Sequence, residues 1–233
     1  MVERFMNRPD SVVVSQAITN AFLRGVYQWM GIGLAITAAV SWVVGTNEEL
    51  LFKAAGLMFP LIIVQLGIVV ALSWALHKLS GFAATALFIV YSAVTGVTLA
   101  PIFILYTHAS IAQTFVASAG MFGAMSVYGL VTKRDLTSLG SFMFMGLIGI
   151  VIASIINLFL RSDAMTFVIS IIGVIVFMGL TAFDTQKLRN MGLNAPADDP
   201  TALRRGTIFG ALKLYLDFIN LFIMLLRLFG NRR

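Results

Sequence analysis

Two aspartates lie inside apolar segments, where acidic side chains are rare. Asp184 belongs to the segment TAFDTQ (residues 181–186), and Asp217 belongs to LYLDFI (residues 214–219). If these segments bring the two carboxylates face to face, burial and mutual repulsion disfavour the doubly ionised state, and the pair titrates as a unit. A shared proton at lower pH would hold the segments together, and its loss would separate them or recruit a cation. The pair therefore predicts a pH-sensing latch with a cation site.

Neighbouring basic residues offer a purely structural alternative. Lys213 precedes Asp217 by four residues, which places both on one helix face and would let the lysine neutralise the aspartate. Asp184 is followed by Lys187 and could simply be an interfacial residue. Ionisable residues that are buried in a membrane are usually functional, so the choice depends on whether these segments span one.

The composition is that of an integral membrane protein. Of the 233 residues, 59% are hydrophobic and 11% are charged, whereas soluble domains average about 45–50% and about 25%. This argues against a soluble enzyme, a disordered protein and a nucleic-acid binder. The net charge of +6 is better explained by membrane topology, because the 16 Lys and Arg residues lie mostly in loops and tails. The chain has no cysteine and two histidines, which excludes thiolate sites and a site of three or more histidines.

Seven apolar stretches reach the length of about 20 residues that a spanning helix needs. They are continuously apolar, which favours helices over barrel strands, and no apolar core precedes Arg24 to form a cleavable signal peptide. We therefore expect an all-α membrane protein with a tail (1–25), a seven-helix domain (26–229) and a basic C-terminal tail (230–233). The predicted spans are 26–45, 54–76, 82–105, 110–131, 139–160, 165–183 and 206–229.

Basic residues predict the orientation of these spans. Ten Lys and Arg residues fall on the side of the N-terminus and five on the opposite side, which places the N-terminus in the cytoplasm. Seven spans then put Arg232 and Arg233 outside, against the rule, and a re-entrant seventh segment would put them inside. We favour seven spans, with the last helix sheltered by the others because it carries Lys213 and Asp217.

Packing and polar residues complete the predicted bundle. Small residues predict close helix contacts at Gly31 and Gly33 in the first span, at Gly120 and Gly123 in the fourth, and at Gly146 and Gly149 in the fifth. Pro60 and Pro101 interrupt the second and third spans and predict kinks. His77 and Lys78 follow the second span. The simpler interpretation is that both lie at the membrane interface. The alternative is that they act as counter-charges to the aspartate pair.

The two aspartate segments resemble the signature motifs of the Bax inhibitor-1 family, also called the transmembrane Bax inhibitor motif family. TAFDTQ is similar to the motif of its sixth helix, and LKLYLDFINLF (212–222) followed by LLR (225–227) is similar to its C-terminal motif. The length and seven-span layout also match. FGAMS (122–126) and TKRD (132–135) are closest to the bacterial inner-membrane branch.

The resemblance implies a pH-dependent calcium leak controlled by a carboxylate pair at the positions of Asp184 and Asp217. It implies that these carboxylates bind Ca²⁺ only transiently, as the permeant ion, and that no cofactor is tightly bound. It also implies that the last helix is surrounded by the other six. His77 and Lys78 are nearest to a basic residue implicated on the second helix, and Lys213 is a further candidate counter-charge. Some bacterial relatives are linked to a membrane-bound AAA protease.

Two other classes of function compete with the leak. An intramembrane aspartyl protease would also use two membrane aspartates, with a water activated between them. Its Gly-x-Gly-Asp signature is absent, because Asp184 follows Thr-Ala-Phe and Asp217 follows Leu-Tyr-Leu. A non-conducting regulator of a membrane protease is the other alternative. We expect no enzyme activity and no nucleic-acid partner.

Overall fold

The computed structural model describes residues 9–75, 78–194 and 199–233, with side chains from residue 16 onward. The described residues form helices and no extended strand, which confirms the prediction of an all-α protein. One isolated β-bridge joins Tyr106 and Arg232. The helices are α1 (Pro9–Gly45), α2 (Glu48–Gly56), α3 (Met58–Trp74), α4 (Gly81–Leu99), α5 (Ile102–Leu105), α6 (His108–Val131), α7 (Thr137–Leu160), α8 (Asp163–Leu193) and α9 (Pro200–Phe229).

Six of the described segments are long and apolar enough to cross a membrane: the apolar part of α1, α4 with α5, α6, α7, α8 and α9. The bent pair α2–α3 adds a seventh if it counts as one span. Large apolar side chains cover the outside of the bundle, as Trp74 (81% exposed) and Phe159 (80% exposed) illustrate. Exposed apolar surface on this scale suits contact with lipid. The chain is an all-α, multi-span membrane protein.

The second span departs from its predicted form. The predicted span 54–76 contains α3, but its first residues belong to α2, and the chain bends by 69° between the two helices. Pro60 is not the cause, since it lies in the first turn of α3, where its missing N–H has no helical partner to lose. Pro101 does interrupt its span, because it separates α4 from α5.

The pair α2–α3 nevertheless connects the two ends of the bundle. Gly45, at the end of α1, packs against Ala100, which follows α4, and against Phe103 of α5. Leu79, just before α4, accepts a hydrogen bond at 3.3 Å from Arg205 near the start of α9. The chain therefore passes from one end to the other between residues 45 and 79, as a broken span must.

Helices α8 and α9 both extend beyond their predicted spans. The sixth span was predicted to end at residue 183, whereas α8 continues to Leu193. Asp184 thus lies inside a helix rather than at its end, and this prediction is corrected. Helix α9 begins at Pro200, where the Asp199 side chain caps it by accepting from the N–H groups of Thr201 and Ala202, both at 2.9 Å.

Helix α9 is the centre of the bundle, as predicted, although four of the described helices rather than six pack along it. It packs along α1, α4, α6 and α8, and 67% of its apolar stretch is buried. Leu214, Tyr215 and Leu221 on this helix are fully buried. The helices α3 and α7 are peripheral, since α3 packs along α4 and α7 packs along α8.

The two ends of α9 lie at opposite ends of the bundle. Near its start, Arg204 donates to the Thr85 hydroxyl in the first turns of α4 at 3.3 Å. Beyond its end, the N–H of Asn231 donates to Ser110 Oγ at 2.9 Å, close to the loop between α5 and α6. An uninterrupted helix with this course favours a full span over a re-entrant segment.

The glycines predicted to bring helices together do so in part: Gly33 on α1 packs against Phe88 and Ser92, and Gly146 on α7 packs against Val176, whereas Gly31 and Gly149 face open space. Gly120 and Gly123 face open space, so the prediction that they pack is wrong for both. The close approach on α6 occurs instead at Gly129, where an added Cβ would collide with the carbonyl oxygen of Ala182 on α8. This contact fixes the position of α8 directly beside Asp184.

Candidate functional site

Asp184, Asp217 and Lys213 line one cavity of about 700 Å³. We call it the aspartate cavity. Its walls come from α3, α7, α8 and α9, and it lies in the gap that the peripheral helices α3 and α7 leave beside α9. Its other lining residues are Ser73, Gly140, Ser141, Phe144, Met145, Leu147, Phe177, Leu180, Phe183, Lys187, Phe209, Leu212, Leu216 and Asn220.

The cavity reaches the surface of the bundle on its α7 side. Phe144 and Met145 of the lining are 57% and 62% exposed, whereas Asp184 and Asp217 are 6% and 5% exposed. The two carboxylates are therefore buried at the inner wall of a cavity whose rim is accessible. Most of the lining is apolar, so the aspartates and lysines dominate its electrostatics.

Asp184 forms a salt bridge with Lys213. Lys213 Nζ lies 2.8 Å from Asp184 Oδ1, and the two side chains are 29% and 8% exposed. The sequence predicts that Lys213 neutralises Asp217, four residues later on the same helix; its direct salt bridge is with Asp184 instead, although Asp217 lies within electrostatic range of the lysine. Helical side chains lean toward the N-terminus of their helix. The Lys213 side chain accordingly extends toward the start of α9, and its ammonium lies 5.9 Å from the ring centroid of Phe209, four residues earlier.

Asp217 has a carboxylate oxygen with no partner. Its Oδ2 is fully buried, and no described residue donates a hydrogen bond to it. Asp217 is near enough to interact electrostatically with both Asp184 and Lys213. Leaving a buried acceptor unsatisfied costs about 1–3 kcal/mol, and more for a charged group. The arrangement is thus one salt bridge beside a second carboxylate that a proton, a cation or water could satisfy.

Neither Lys187 nor Lys78 forms a salt bridge with Asp184 or Asp217. Lys187 lines the cavity, but its ammonium lies 5.9 Å from the Phe183 ring and forms no salt bridge with Asp184. Lys78 is exposed in the connection before α4, and it pairs with no described carboxylate. His77 lies outside the described residues. No group of three or more His, Asp or Glu residues that could hold a metal occurs in the described part of the chain.

Two sets of polar contacts at α8 and α9 were not predicted from the sequence. The Tyr215 hydroxyl is 2.6 Å from Thr37 Oγ1, which donates to the carbonyl of Ser92 at 2.8 Å. This link ties α9 to α1 and α4. A hydroxyl in an apolar segment signals that a partner is needed, but the spacing does not say which.

The second missed contact involves Gln186 of the TAFDTQ segment. Its side chain accepts from the N–H of Leu136 at 2.9 Å and donates to the carbonyl of Arg134 at 2.8 Å, which fixes the α6–α7 loop to α8. In the same loop, hydrogen bonds from Thr137 hold the pKa of Asp135 below its usual range.

The fold and the cavity define a polytopic helical membrane protein with an ionisable site inside its bundle. The chain belongs to the Bax inhibitor-1 family: the family profile described as "Inhibitor of apoptosis-promoting Bax1" matches residues 19–233. This confirms the resemblance seen in the motifs.

Relatives cover almost the whole chain. The inner membrane protein YbhL of Escherichia coli (strain K12) is 54% identical over 229 residues, covering 97% of this chain and 98% of the relative. An uncharacterized protein of Borreliella burgdorferi is 48% identical over 219 residues, covering 93% and 94%. An uncharacterized membrane protein of Streptococcus pyogenes serotype M6 is 39% identical over 237 residues, covering 95% and 98%.

Proposed function

We propose that this protein is a pH-sensitive, calcium-permeable leak channel of the bacterial inner membrane, gated at the aspartate cavity. The observation that carries the proposal is the Lys213–Asp184 salt bridge beside the unpartnered buried oxygen of Asp217. In this arrangement an internal ammonium occupies the place that a permeating cation would take. The proposal also rests on the family to which the chain belongs.

The proposed gate is a competition for two carboxylates. A cation that enters the cavity displaces Lys213 from Asp184 and gains Asp217 as a second ligand. Ca²⁺ takes six to eight oxygen ligands, and two carboxylates supply at most four. The remaining ligands would be water or carbonyl oxygens, which suits a passing ion better than a permanent site. At lower pH a shared proton removes the repulsion between the aspartates and holds α8 and α9 together, so flux falls.

An aspartyl protease is a weaker interpretation of the same residues. In a proteolytic pair the two carboxyl groups share one proton across a water molecule. Here the ammonium of Lys213 lies on Asp184, at 2.8 Å, and competes with that arrangement. The other alternative is a non-conducting regulator of a membrane-bound AAA protease, which needs no gate. We would favour it if the flux experiment below detected no channel activity.

Calcium flux into dye-loaded proteoliposomes between about pH 6 and pH 8 tests the gate. The variants are Asp184→Asn and Asp217→Asn, with Asp199→Asn as the matched control. Asp199 only caps α9, and asparagine caps a helix equally well. We expect the wild type and the control to conduct more at higher pH, and each cavity variant to lose or flatten this response.

Each other result has a distinct meaning. Flux no greater than that of empty liposomes at every pH would overturn the channel and favour the regulator, which co-purification of a protease at native expression would then test. Wild-type pH dependence in both cavity variants would retain a channel but remove the aspartate pair as its gate.

A further inference from the structure

We propose that the end of the bundle where α9 terminates binds the phosphate headgroup of an anionic membrane lipid. The site is a cavity of about 760 Å³ that contains Arg161, Arg227 and Arg232. We call it the arginine cavity. It lies at the opposite end of α9 from its N-terminal cap, shares no lining residue with the aspartate cavity, and does not depend on the proposed channel.

Three separate segments bring these arginines together. Arg161 lies in the α7–α8 turn, Arg227 in the last turn of α9, and Arg232 in the tail that follows. The lining contains one acidic residue, Asp163, and none of the three arginines forms a salt bridge with a described residue. The cavity therefore carries an unbalanced positive charge.

The backbone around Arg161 is held in an unusual conformation. Its φ of 50° lies in the left-handed region, where glycine is favoured, and it is the one described non-glycine residue with positive φ. The turn is fixed by Asn157, which accepts from the N–H of Ser162 at 2.9 Å and donates to Thr166 Oγ1 at 2.8 Å. The turn geometry alone would favour glycine at this position. An arginine here therefore indicates that its side chain has a role.

The backbone of the tail that carries Arg232 is also fixed by hydrogen bonds. It pairs with the loop after α5 through the Tyr106–Arg232 bridge. Flanking hydrogen bonds run from the N–H of Thr107 to the carbonyl of Asn231 and from the N–H of Arg233 to the carbonyl of Leu105, both at 3.1 Å. A charged tail fixed in place beside a cavity is positioned to bind a ligand.

The cavity combines these charges with lipid-facing apolar residues. Leu158 and Phe159 belong to its lining and are 73% and 80% exposed. A site that is apolar on one side and cationic on the other matches a lipid whose acyl chains meet its headgroup at that level. Arginine binds phosphate oxygens in a bidentate manner, which makes it suited to this ligand. This role also accounts for basic residues on the side that the charge count predicts to be poor in them.

Native mass spectrometry of the full-length protein tests the proposal, with phosphatidylglycerol and phosphatidylcholine as competing probes. The variants are Arg161→Gln, Arg227→Gln and Arg232→Gln. Arg233→Gln is the matched control, because it removes the same charge from the neighbouring tail position outside the cavity lining. We expect preferential retention of phosphatidylglycerol by the wild type, about fivefold weaker retention for each cavity variant, and wild-type retention for the control.

A fourth variant separates binding from folding. Arg161→Gly removes the side chain and suits the left-handed backbone, so it should weaken lipid retention without lowering the unfolding temperature. Equal losses in Arg233→Gln and the cavity variants would overturn the site in favour of general surface charge. Equal retention of the two lipids by the wild type would overturn the anionic preference. Displacement of phosphatidylglycerol by inorganic phosphate would assign the site to a soluble anion and overturn the lipid.

Discussion

At the scale of single residues, Lys213 and Lys53 offer a direct comparison of two salt bridges. Lys213 pairs with Asp184 inside the aspartate cavity, whereas Lys53 pairs with Glu49 at 2.6 Å, with both side chains at least 65% exposed. Removing one partner of a buried pair strands a charge and costs about 3–5 kcal/mol. Lys213 is partly exposed, so we expect Lys213→Met to lower the free energy of unfolding by about 2 kcal/mol. Lys53→Met should lower it by less than about 0.5 kcal/mol.

Denaturant unfolding in detergent, followed by circular dichroism, measures both changes. The double variant Lys213→Met/Asp184→Asn should recover most of the loss, because it no longer strands a charge. Equal effects of the two lysine variants would contradict the assignment of Lys213 as the internal counter-charge. An unrecovered loss in the double variant would show that Lys213 acts through packing instead.

The sequence locates the two aspartates but not the salt-bridge partner of Asp184. Charge inside an apolar run is costly, and this makes Asp184 and Asp217 visible without a structure. The four-residue spacing between Lys213 and Asp217 predicts that they share a helix face. It does not predict the direction in which the long lysine side chain extends. The partner of Lys213 comes from another helix, 29 residues away, and only the packing of α8 against α9 reveals it.

At the scale of helices, Gly129 decides how closely α6 approaches α8. An alanine methyl group there would meet the carbonyl oxygen of Ala182, a backbone atom that cannot move aside. Gly129→Ala should therefore lower the free energy of unfolding by about 1–3 kcal/mol. Gly123→Ala on the same helix meets nothing within 4 Å and should be neutral or slightly stabilising, because alanine favours helix.

The same unfolding assay, with calcium flux beside it, tests this pair of variants. Because Ala182 is two residues from Asp184, Gly129→Ala should also alter the pH response of any flux, whereas Gly123→Ala should not. Unchanged stability in Gly129→Ala would contradict the close approach of the two helices.

The helices themselves follow from the sequence better than their contacts do. Continuous apolar runs define the long helices, and intramembrane charge predicts that α9 is sheltered. The kink of the second span was predicted at Pro60, whereas the bend lies between α2 and α3, where continuous apolar character gives no sign of it. A small residue likewise shows where another helix could pack closely, but not whether one does. Gly120 and Gly123 illustrate this, because both face open space.

At the scale of the whole molecule, we predict from the course of α9 that its two ends lie on opposite sides of the membrane. The absence of cysteine makes this simple to test, since a single introduced thiol is the only site for a maleimide. Suitable exposed positions are Glu48→Cys and Asn231→Cys at one end of the bundle, and Lys78→Cys and Asn194→Cys at the other.

Labelling of intact cells with a membrane-impermeant maleimide should modify Glu48→Cys and Asn231→Cys, and should spare Lys78→Cys and Asn194→Cys until the membrane is opened. The expectation follows from seven spans, counting α2–α3 as one, together with a cytoplasmic N-terminus. The unmodified chain is the control for background labelling. Protection of both Asn231→Cys and Asn194→Cys in intact cells would show that α9 is re-entrant. The same labelling of Glu48→Cys and Lys78→Cys would show that α2–α3 is a re-entrant loop. Full reversal of the pattern would preserve the seven spans and invert the protein in the membrane.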